Sequence, residues 1–404
     1  MDRAILHSDI NACYASVERL YRPELDGRPF AVCGSQELRH GIVLAKDELA
    51  KRAGVKTGMA IWQARRVCPE LQIVEPHHER YEKYSRIIRA IYAEYTNLCE
   101  PFGIDESWLD ITNCLACPDP VRTADEIRCR VKRETGLTVS VGVSWNKTLA
   151  KLGSDYKKPD AVTVINRENF KSLVWPLPAT DLLMVGRSTG SALSRMGIRT
   201  IGELAGTPPE LLKKRLGKCG VTLWEYANGL ENSRVRAIGE EDPPQSIGNS
   251  VTLPRDVTDE RAARETILML ADSVGQRLRR ERYRCRCVEV SLRTDELRWS
   301  SHRMRLRYAT DVTSDLARFG MELVLSCHDF SVPLRSMGLR ALELSRADDV
   351  EQLDIFTDYV NLDKQRRIDA AVDSIREKYG DDSIRRASLM DGAKPEAPAF
   401  CHIA

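Results

Sequence analysis

The sequence predicts a mixed α/β (α+β) fold with several domains. Short apolar runs typical of strands alternate with amphipathic segments typical of helices, in a β-α-β-β-α-β order over roughly the first 160 residues. A helical region and a second set of strand-like runs follow. With 404 residues, 42% of them apolar and 30% charged, the chain has the composition of an ordinary globular protein, and its length suggests about two to four domains.

Each predicted element follows from its local pattern. Strands are predicted at 4–9, 28–34, 41–45, 138–143, 288–293 and 303–307, and as a hairpin over 102–112. Helices are predicted at 47–52, 77–98, 121–135, 146–154 and 364–379, and through the region from 167 to about 233. β-branched residues dominate the run at 138–143, whereas Tyr81, Ile88 and Tyr92 recur at the spacing of one helix face.

Two adjacent carboxylates stand at the turn of the predicted hairpin. Asp105 and Glu106 lie between apolar strand residues, and burying two neighbouring acids is costly because like charges repel. A divalent cation would relieve the repulsion, and oxygen ligands without nearby Cys or His favour Mg²⁺ or Mn²⁺. Because such a dipeptide by itself is usually a solvated turn, a metal site requires a third carboxylate.

Asp9 supplies that carboxylate at the end of the first predicted strand. A strand-end acid combined with an acidic pair on a hairpin is the pattern of a two-metal phosphoryl-transfer site. Two cations about 3.5–4 Å apart can stabilise both the attacking and the leaving oxygen of an in-line displacement. Three carboxylates suit this chemistry because they offset much of the positive charge that two divalent cations carry.

Charge and cysteine content limit the other possibilities. The net charge is only +2, and twelve Cys without regular spacing indicate a reduced, cytoplasmic protein. Cys114 and Cys117 form a CxxC pair with no second pair at zinc spacing, so we interpret them as structural. No signal-peptide pattern is evident and no apolar stretch approaches 18 residues, so we expect no membrane association.

Arginine replaces lysine after an acidic, Pro-containing linker at 234–245. Six arginines lie between 277 and 286, namely Arg277, Arg279, Arg280, Arg282, Arg284 and Arg286. Alternating arginines on a strand place their guanidinium groups on one face, and a one-sided basic sheet tracks a phosphate backbone without reading its sequence. We expect no compensating acids on the same alternation, which favours nucleic-acid binding over a solvated charge run. We therefore expect Arg279, Arg284 and Arg286 to contact DNA.

Three motifs in order resemble those of a known family. They are SDINACYASVE at 8–18, GIDESWLDIT at 103–112 and VGVSWNKTLAKLGSDYKKPDA at 141–161. Together they resemble the Y-family translesion DNA polymerases of the bacterial polymerase IV and polymerase V type. The likeness extends more loosely from residue 1 to about residue 356, and it is specific because three independent motifs coincide.

The resemblance implies a right-hand polymerase of low fidelity that copies damaged template by adding dNTPs to a primer. The implied domains are a palm at 1–19 and 77–166, fingers at 20–76, a helical thumb at 167–233, a linker at 234–245, a little finger at 246–347 and a tail at 348–404. Two alternatives are a palm-type nucleotidyl cyclase and a non-catalytic clamp- and DNA-binding accessory of the same fold. A cyclase would not need the thumb or the Arg-rich domain, and an accessory would be expected to lack the three carboxylates.

The resemblance also assigns roles around the acids. Asp9, Asp105, Glu106 and the backbone carbonyl of Ile10 would hold two Mg²⁺ ions, with Mn²⁺ as an alternative. Tyr14 would be an aromatic gate under the sugar of the incoming nucleotide.

Lys51 and Lys158 would bind the triphosphate of that nucleotide. Lys51 replaces a family Arg, and Glu48 replaces a family Tyr whose triphosphate contact an acid could not make. Ile42, Leu44 and Gly58 would roof the templating base.

Two further segments would bind macromolecules. The stretch 182–201 resembles a helix-hairpin-helix in which Gly186 and Gly190 let backbone N–H groups approach a DNA phosphate, although the second glycine is displaced from its usual position. The segment 352–356 resembles the peptide by which bacterial replication proteins bind the sliding clamp. Its apolar and hydrogen-bonding anchors would be Gln352, Leu353, Ile355 and Phe356. Expected partners are thus primer–template DNA, dNTPs and a bacterial sliding clamp, bound by a monomer.

Overall fold

The computed structural model describes residues 2–37, 39, 41–112, 114–115, 117–349 and 358–389. The chain divides into two compact units. The first comprises Met1–Gly34 and Ile42–Glu241, and the second comprises Ser35–Gly41 and Asp242–Ala404. The division after Glu241 falls inside the linker predicted at 234–245. No helix in the described part is both long and apolar enough to cross a membrane.

Two sheets belong to the first unit. Its strands are β1 (Ile5–Ile10), β2 (Phe30–Cys33), β3 (Val43–Lys46), β4 (Gln72–Val74), β5 (Cys99–Phe102), β6 (Glu106–Asp110), β7 (Val139–Ser144) and β8 (Val162–Val164). The larger sheet has the order β5-β6-β1-β7-β8, and β7–β8 is its parallel pair. The smaller sheet has the order β3-β2-β4. β1 is therefore the central strand of the larger sheet.

Helices surround these sheets. They are α1 (Cys13–Tyr21), α2 (Glu48–Arg52), α3 (Ile61–Val67), α4 (His78–Ala93), α5 (Pro120–Thr135), α6 (Lys147–Tyr156), α7 (Phe170–Val174), α8 (Arg187–Arg195), α9 (Ile201–Gly206), α10 (Pro209–Leu216) and α11 (Lys218–Ala227). Capping residues mark where some of these helices begin. Asp119 caps α5 just before Pro120. Asn146 caps α6, and its side chain accepts a hydrogen bond from Leu149 N at 2.9 Å.

All six residues of β1 are buried because the larger sheet is covered on both faces. Leu6 and Ile10 pack in a core with Ile88 of α4 and Ile127 of α5. The alternate residues face α6, where Ile5 packs with Ala150. Asp9 shares that second face, which places it beside α6.

Close contact between α6 and β7 depends on a glycine. A Cβ atom added at Gly142 would lie 1.9 Å from the carbonyl oxygen of Ala150 and 2.5 Å from the backbone nitrogen of Ser154. Only glycine permits this approach, which brings the polar side chains of α6 close to β1.

A four-stranded antiparallel sheet forms the second unit. Its strands are β9 (Ser246–Val257), β10 (Tyr283–Thr294), β11 (Trp299–Thr310) and β12 (Leu334–Arg346), and its helices are α12 (Glu260–Arg280), α13 (Thr313–Cys327) and α14 (Tyr359–Tyr379). The strand order is β11-β10-β12-β9. Side chains such as Val290 and Leu339 form a core with Ile267 of α12 and Val324 of α13. Residues that alternate with this core lie on the opposite face of the sheet.

The mixed α/β expectation is confirmed, although several element boundaries differ. The helix predicted at 77–98 ends at Ala93, because the chain turns there into β5. The strand predicted at 41–45 is β3, while Ile42 precedes it in an isolated bridge to Ala60. The strands predicted at 288–293 and 303–307 extend to twelve residues each as β10 and β11.

Candidate active site

Neighbouring strands bring the three predicted carboxylates together. Asp9 near the end of β1 lies directly opposite Glu106 at the start of β6. Asp105 precedes Glu106 in the turn, and its carbonyl oxygen accepts a hydrogen bond from Ile10 N at 3.0 Å. The turn itself needs Gly103, which has a φ of 79°.

Helix α4 holds this turn from outside. The Ser85 hydroxyl donates to the carbonyl of Ile104, and the Arg89 guanidinium donates to the carbonyl of Gly103. These two contacts fix the backbone on which Asp105 sits. Sequence reasoning missed both residues, because nothing in the pattern of α4 distinguishes them from ordinary helix-surface residues.

Two lysines neutralise the acids. Lys158 Nζ lies 2.8 Å from Asp9 Oδ2 and 2.7 Å from Asp155 Oδ1. Lys151 Nζ donates to Glu106 Oε2. Among the described residues no three His, Cys, Asp or Glu side chains converge as a ready set of metal ligands, because Asp9 and Glu106 are directed to these amines.

The pKa values follow from burial and these charges. The pKa of Asp9 is raised to about 7, because burial and the nearby Glu106 and Asp105 charges outweigh the opposing effect of Lys158. Burial and the Glu106 charge also raise the pKa of Asp105. Burial would likewise raise the pKa of Glu106, but His7 and Lys151 outweigh it and lower that pKa to about 2. The cluster thus concentrates negative charge where water solvates it poorly.

His7 is a further buried polar residue of the site. It lies two residues before Asp9 on the same face of β1, and its Nδ1 is 2.8 Å from the Ser154 hydroxyl. Its Nε2 is 3.1 Å from Glu106 Oε2, without the angle of a hydrogen bond. Burial lowers the pKa of His7, which favours the neutral ring. The available sequence signal was a polar residue alternating with Asp9 in an apolar strand.

Tyr14 lies on α1, just after β1. Its ring stacks on that of Tyr81 with centroids 4.0 Å apart and planes 14° apart, and His78 contacts it edge-on at 5.7 Å. Tyr81 is fully buried and donates a hydrogen bond to the buried Glu18 at 2.7 Å. The aromatic ring is therefore held in one orientation by a rigid neighbour.

The site residues predicted in and around the smaller sheet lie either on helix α2 or in and beside β3. Lys51 on α2 is more than half exposed and is 3.5 Å from Glu48, with no contact to the acidic cluster among the described residues. Ile42 is 44% exposed and Leu44 is half-buried, whereas Val43 between them is fully buried in the core. Ile42 and Leu44 therefore share the face that points away from this core. Gly58 donates a backbone hydrogen bond to Val43 nearby.

The two predicted glycines of 182–201 occupy different positions on one helix. Gly186 is the N-cap of α8, with open space beside its Cα. Gly190 lies within α8, where a Cβ would come within 3.0 Å of Thr180 Cγ2, so its smallness serves packing. A DNA-phosphate contact at Gly186 and Gly190 stays a prediction.

Arg279 differs from expectation. It belongs to α12 and not to a strand, and its Nε and Nη1 lie 2.6 Å and 3.2 Å from carboxylate oxygens of Asp373 and Asp369 on α14. Its Nη1 also donates to the carbonyl of Asp311 at 2.8 Å. This guanidinium holds the second unit together internally, so we withdraw Arg279 as a DNA contact.

Arg284 and Arg286 lie on β10 and alternate with the buried Tyr283 and Cys285, as expected of a one-sided strand. The expectation that no acids share this surface is wrong. Glu289 of β10 and Glu343 of β12 pair with arginines of neighbouring strands. A register shift between Cys285 and Cys287 reverses the alternation along β10, so Glu289 lies on the arginine face although simple alternation from Arg284 would place it on the core face.

The clamp-peptide residues Gln352, Leu353, Ile355 and Phe356 lie outside the described residues. Their role stays a prediction.

Comparison with known proteins identifies relatives along almost the whole chain. A model of the impB/mucB/samB family matches residues 8–155, and a model of that family's C-terminal domain matches residues 244–355. DNA polymerase IV of Acetivibrio thermocellus is 46% identical over 391 residues, covering 96% of this chain and 98% of that protein. DNA polymerase IV 1 of Bacillus subtilis is 36% identical over 395 residues, covering 96% and 93%.

A solved structure supports the same relationship at the level of the fold. The Y-family DNA polymerase chimera Dbh-Dpo4(243-245)-Dbh matches with a TM-score of 0.73, covering 84% of this chain and 98% of that one at 22% identity. This confirms the expected polymerase fold. With both family models and the near full-length relatives, it follows that the chain belongs to the impB/mucB/samB family of Y-family DNA polymerases.

Proposed function

We propose that this chain is a template-directed, low-fidelity DNA polymerase that performs translesion synthesis by transferring a nucleotide from a dNTP to a primer 3′-hydroxyl. The observation that carries the proposal is the grouping of Asp9, Asp105 and Glu106 at adjoining strand ends, in a chain of this family. Three carboxylates placed together at such electrostatic cost suit a site that binds divalent cations.

The donor set fits two Mg²⁺ ions, with Mn²⁺ as an alternative. Oxygen ligands suit hard cations, and the raised pKa values of Asp9 and Asp105 reflect negative charge that cations would complement. Asp9, Asp105, Glu106 and the carbonyl of Ile10 would hold them. When bound, such ions lower the pKa of the primer hydroxyl and stabilise the leaving pyrophosphate.

The lysines supply positive charge on the nucleotide side. Lys158 sits between Asp9 and Asp155, so a triphosphate that arrives with its cations can attract its amine away from these carboxylates. Lys151 lies beside Glu106 and orients its carboxylate by donating a hydrogen bond to it. Lys51 is an exposed cation that can reach a phosphate, and Tyr14 excludes a 2′-hydroxyl.

The second unit and the flanking segments would provide partner contacts. The arginine face of β10, including Arg284 and Arg286, would track the DNA backbone, with a further phosphate contact at Gly186 and Gly190. The peptide 352–356 would bind a bacterial sliding clamp. The enzyme would act as a cytoplasmic monomer.

The two alternatives lose support. A nucleotidyl cyclase would not account for relatives named DNA polymerase IV along the full chain. A non-catalytic accessory would not be expected to keep Asp9, Asp105 and Glu106 together.

Primer extension with each dNTP and Mg²⁺ tests the proposal. Asp9→Asn or Asp105→Asn should lower the extension rate on the order of a hundredfold or more, because each removes a carboxylate that would hold the cations. Asp110→Asn is the control, since Asp110 lies on the same strand as Glu106 but pairs with Arg3 at 3.0 Å. DNA affinity should stay near that of wild type in all three variants. Near-normal extension by the Asp9 or Asp105 variant would contradict the assignment.

A further inference from the structure

A row of three charged residues crosses the centre of the second unit's sheet. In the strand register, Glu289 of β10 lies directly opposite Arg303 of β11 on one side and Arg340 of β12 on the other. All three lie on the face that alternates with the core residues Val288 and Val290. An acid therefore stands between two arginines on neighbouring strands.

The acid is buried and the arginines are not. The Glu289 side chain is 7% exposed, whereas Arg303 and Arg340 are 66% and 55% exposed. Glu289 Oε2 is 2.5 Å from Arg303 Nε, and Oε1 is 3.6 Å from Arg340 Nη1. Because Glu289 engages Arg303 through Nε, the outer edge that carries the two Nη atoms is left for another acceptor.

Beside this row, only short side chains cover the backbone of the sheet. The next row on the same face holds only small residues, namely Ser301, Ser291, Gly338 and Ser250. At the end of the charged row, Gly248 lies opposite Arg340, and a Cβ there would come within 3.0 Å of the Arg340 side chain. A strand of nucleic acid could thus approach the backbone of the sheet while its phosphates meet Arg303 and Arg340.

We propose that Glu289 is a positioning residue that holds Arg303 and Arg340 as a paired clamp for the phosphodiester backbone of DNA. This rests on the proposed function, because the ligand is the polymerase's own DNA. An unrestrained arginine loses much side-chain freedom when it binds a phosphate. Two guanidinium groups already oriented by a buried carboxylate lose less, so the acid strengthens binding to an anion.

The proposal predicts an effect opposite in sign to that of net charge. Removing an acid from a basic surface should tighten DNA binding if only net charge matters. Glu289→Gln should instead weaken binding of a primer–template duplex by about three- to tenfold and reduce the salt dependence of log Kd by about one, the change expected for one lost phosphate contact. Fluorescence anisotropy over a NaCl series measures both.

Glu343→Gln is the matched control. Glu343 pairs with Arg305 at 3.0 Å, but it is 48% exposed and engages one arginine in place of two. Its removal should leave DNA affinity equal to wild type or slightly higher. Steady-state extension gives a second readout, in which Glu289→Gln raises the KM for DNA and leaves kcat at saturating DNA near that of wild type.

A lowered thermal unfolding midpoint would reveal that Glu289→Gln folds poorly. Further variants then test the proposal in its place. Arg303→Lys keeps the charge but lacks the planar guanidinium that presents one edge to the acid and another to a phosphate, and it should weaken binding similarly. In an Arg303→Gln/Arg340→Gln background, adding Glu289→Gln should cause no further loss. The proposal would be overturned if folded Glu289→Gln bound DNA as tightly as wild type or more tightly. It would also be overturned if Glu289→Gln lowered DNA affinity as much in the double-arginine variant as in wild type. In either case normal primer extension by wild type would leave the polymerase assignment standing.

Discussion

At the scale of single residues, the position of the Tyr14 ring is fixed by the side chain packed behind it. Its ring rests on the fully buried Tyr81, which Glu18 fixes in turn, so Tyr14 cannot easily retreat from a substrate. Tyr14→Ala should therefore raise the efficiency of ribonucleotide incorporation relative to deoxyribonucleotide on the order of tenfold or more. Single-nucleotide insertion with matched rNTP and dNTP measures the ratio.

The control is Tyr21→Ala, which removes an aromatic ring from the same helix. Tyr21 is 42% exposed, and its ring packs beneath the Arg80 guanidinium and edge-on to Tyr84. Its loss should leave sugar discrimination as in wild type. Unchanged rejection of rNTPs by Tyr14→Ala would show that this ring does not meet the sugar.

Which residues could be predicted depended on how local their signals are. Asp105 and Glu106 are adjacent in a motif, and Asp9 ends a strand, so the sequence itself suggested their grouping. Ser85 could not be found this way, because its partner is a backbone carbonyl in a distant turn. Arg279 was misjudged because its acidic partners on α14 lie about ninety residues away.

At the scale of elements, β3 and the bridge residue just before it present two aliphatic side chains on one face. Ile42 and Leu44 point away from the core that buries Val43, which removes the alternative that both merely pack inside. As a roof over the templating base they would crowd bulky adducts, and overpacking costs about 1–3 kcal/mol. Ile42→Ala/Leu44→Ala should then raise bypass of a bulky guanine adduct roughly tenfold, normalised to undamaged template.

Val43→Ala tests the specificity of that effect. It trims the residue between the other two, but on the buried face, so it should destabilise the smaller sheet without increasing bypass. If the double variant gains no bypass, or Val43→Ala gains as much, the side chains of Ile42 and Leu44 do not limit lesion size.

Elements whose apolar residues recur with a single period were predicted more accurately than runs that combine the end of one element with the start of another. The helix predicted at 121–135 is α5 to within one residue, because its capping Asp119 and Pro120 mark the start. The arginine-rich run at 277–286 combines the end of a helix with the start of a strand. Charge alone could not locate that junction, since arginine is compatible with both states.

At the scale of the whole molecule, the clamp peptide at 352–356 predicts a dependence on a second protein. Truncating an aromatic anchor that fills a pocket costs about 2 kcal/mol or more, roughly thirtyfold in affinity. Gln352→Ala/Phe356→Ala should thus abolish stimulation by a bacterial sliding clamp while distributive extension persists. Processivity on a primed circular template, with and without clamp, measures this.

Asp354→Ala is the control, because it changes the same peptide at a residue that is not a proposed anchor. It should retain stimulation by the clamp. Stimulation that survives the double substitution would assign clamp binding, if any, to another surface.

A separate C-terminal part was easier to predict than the boundaries within the first unit. Length and the change from lysine to arginine indicated a separate C-terminal part, and the chain does divide inside the predicted linker. The internal boundaries of the first unit stay a prediction. Sequence patterns mark where individual elements begin. Because several small cores share elements such as α1, no local signal marks the boundary between one core and the next.

The central position of β1 has a consequence for synthesis on the ribosome. β1 is made before β6 and β7, which flank it, and both of these strands are complete only once Ser144 has been added. At translation rates of 5–20 residues per second, this strand waits on the order of ten seconds without its neighbours. Throughout that interval the backbone N–H and C=O groups of β1 lack their strand partners, which makes the nascent chain a natural client for a chaperone.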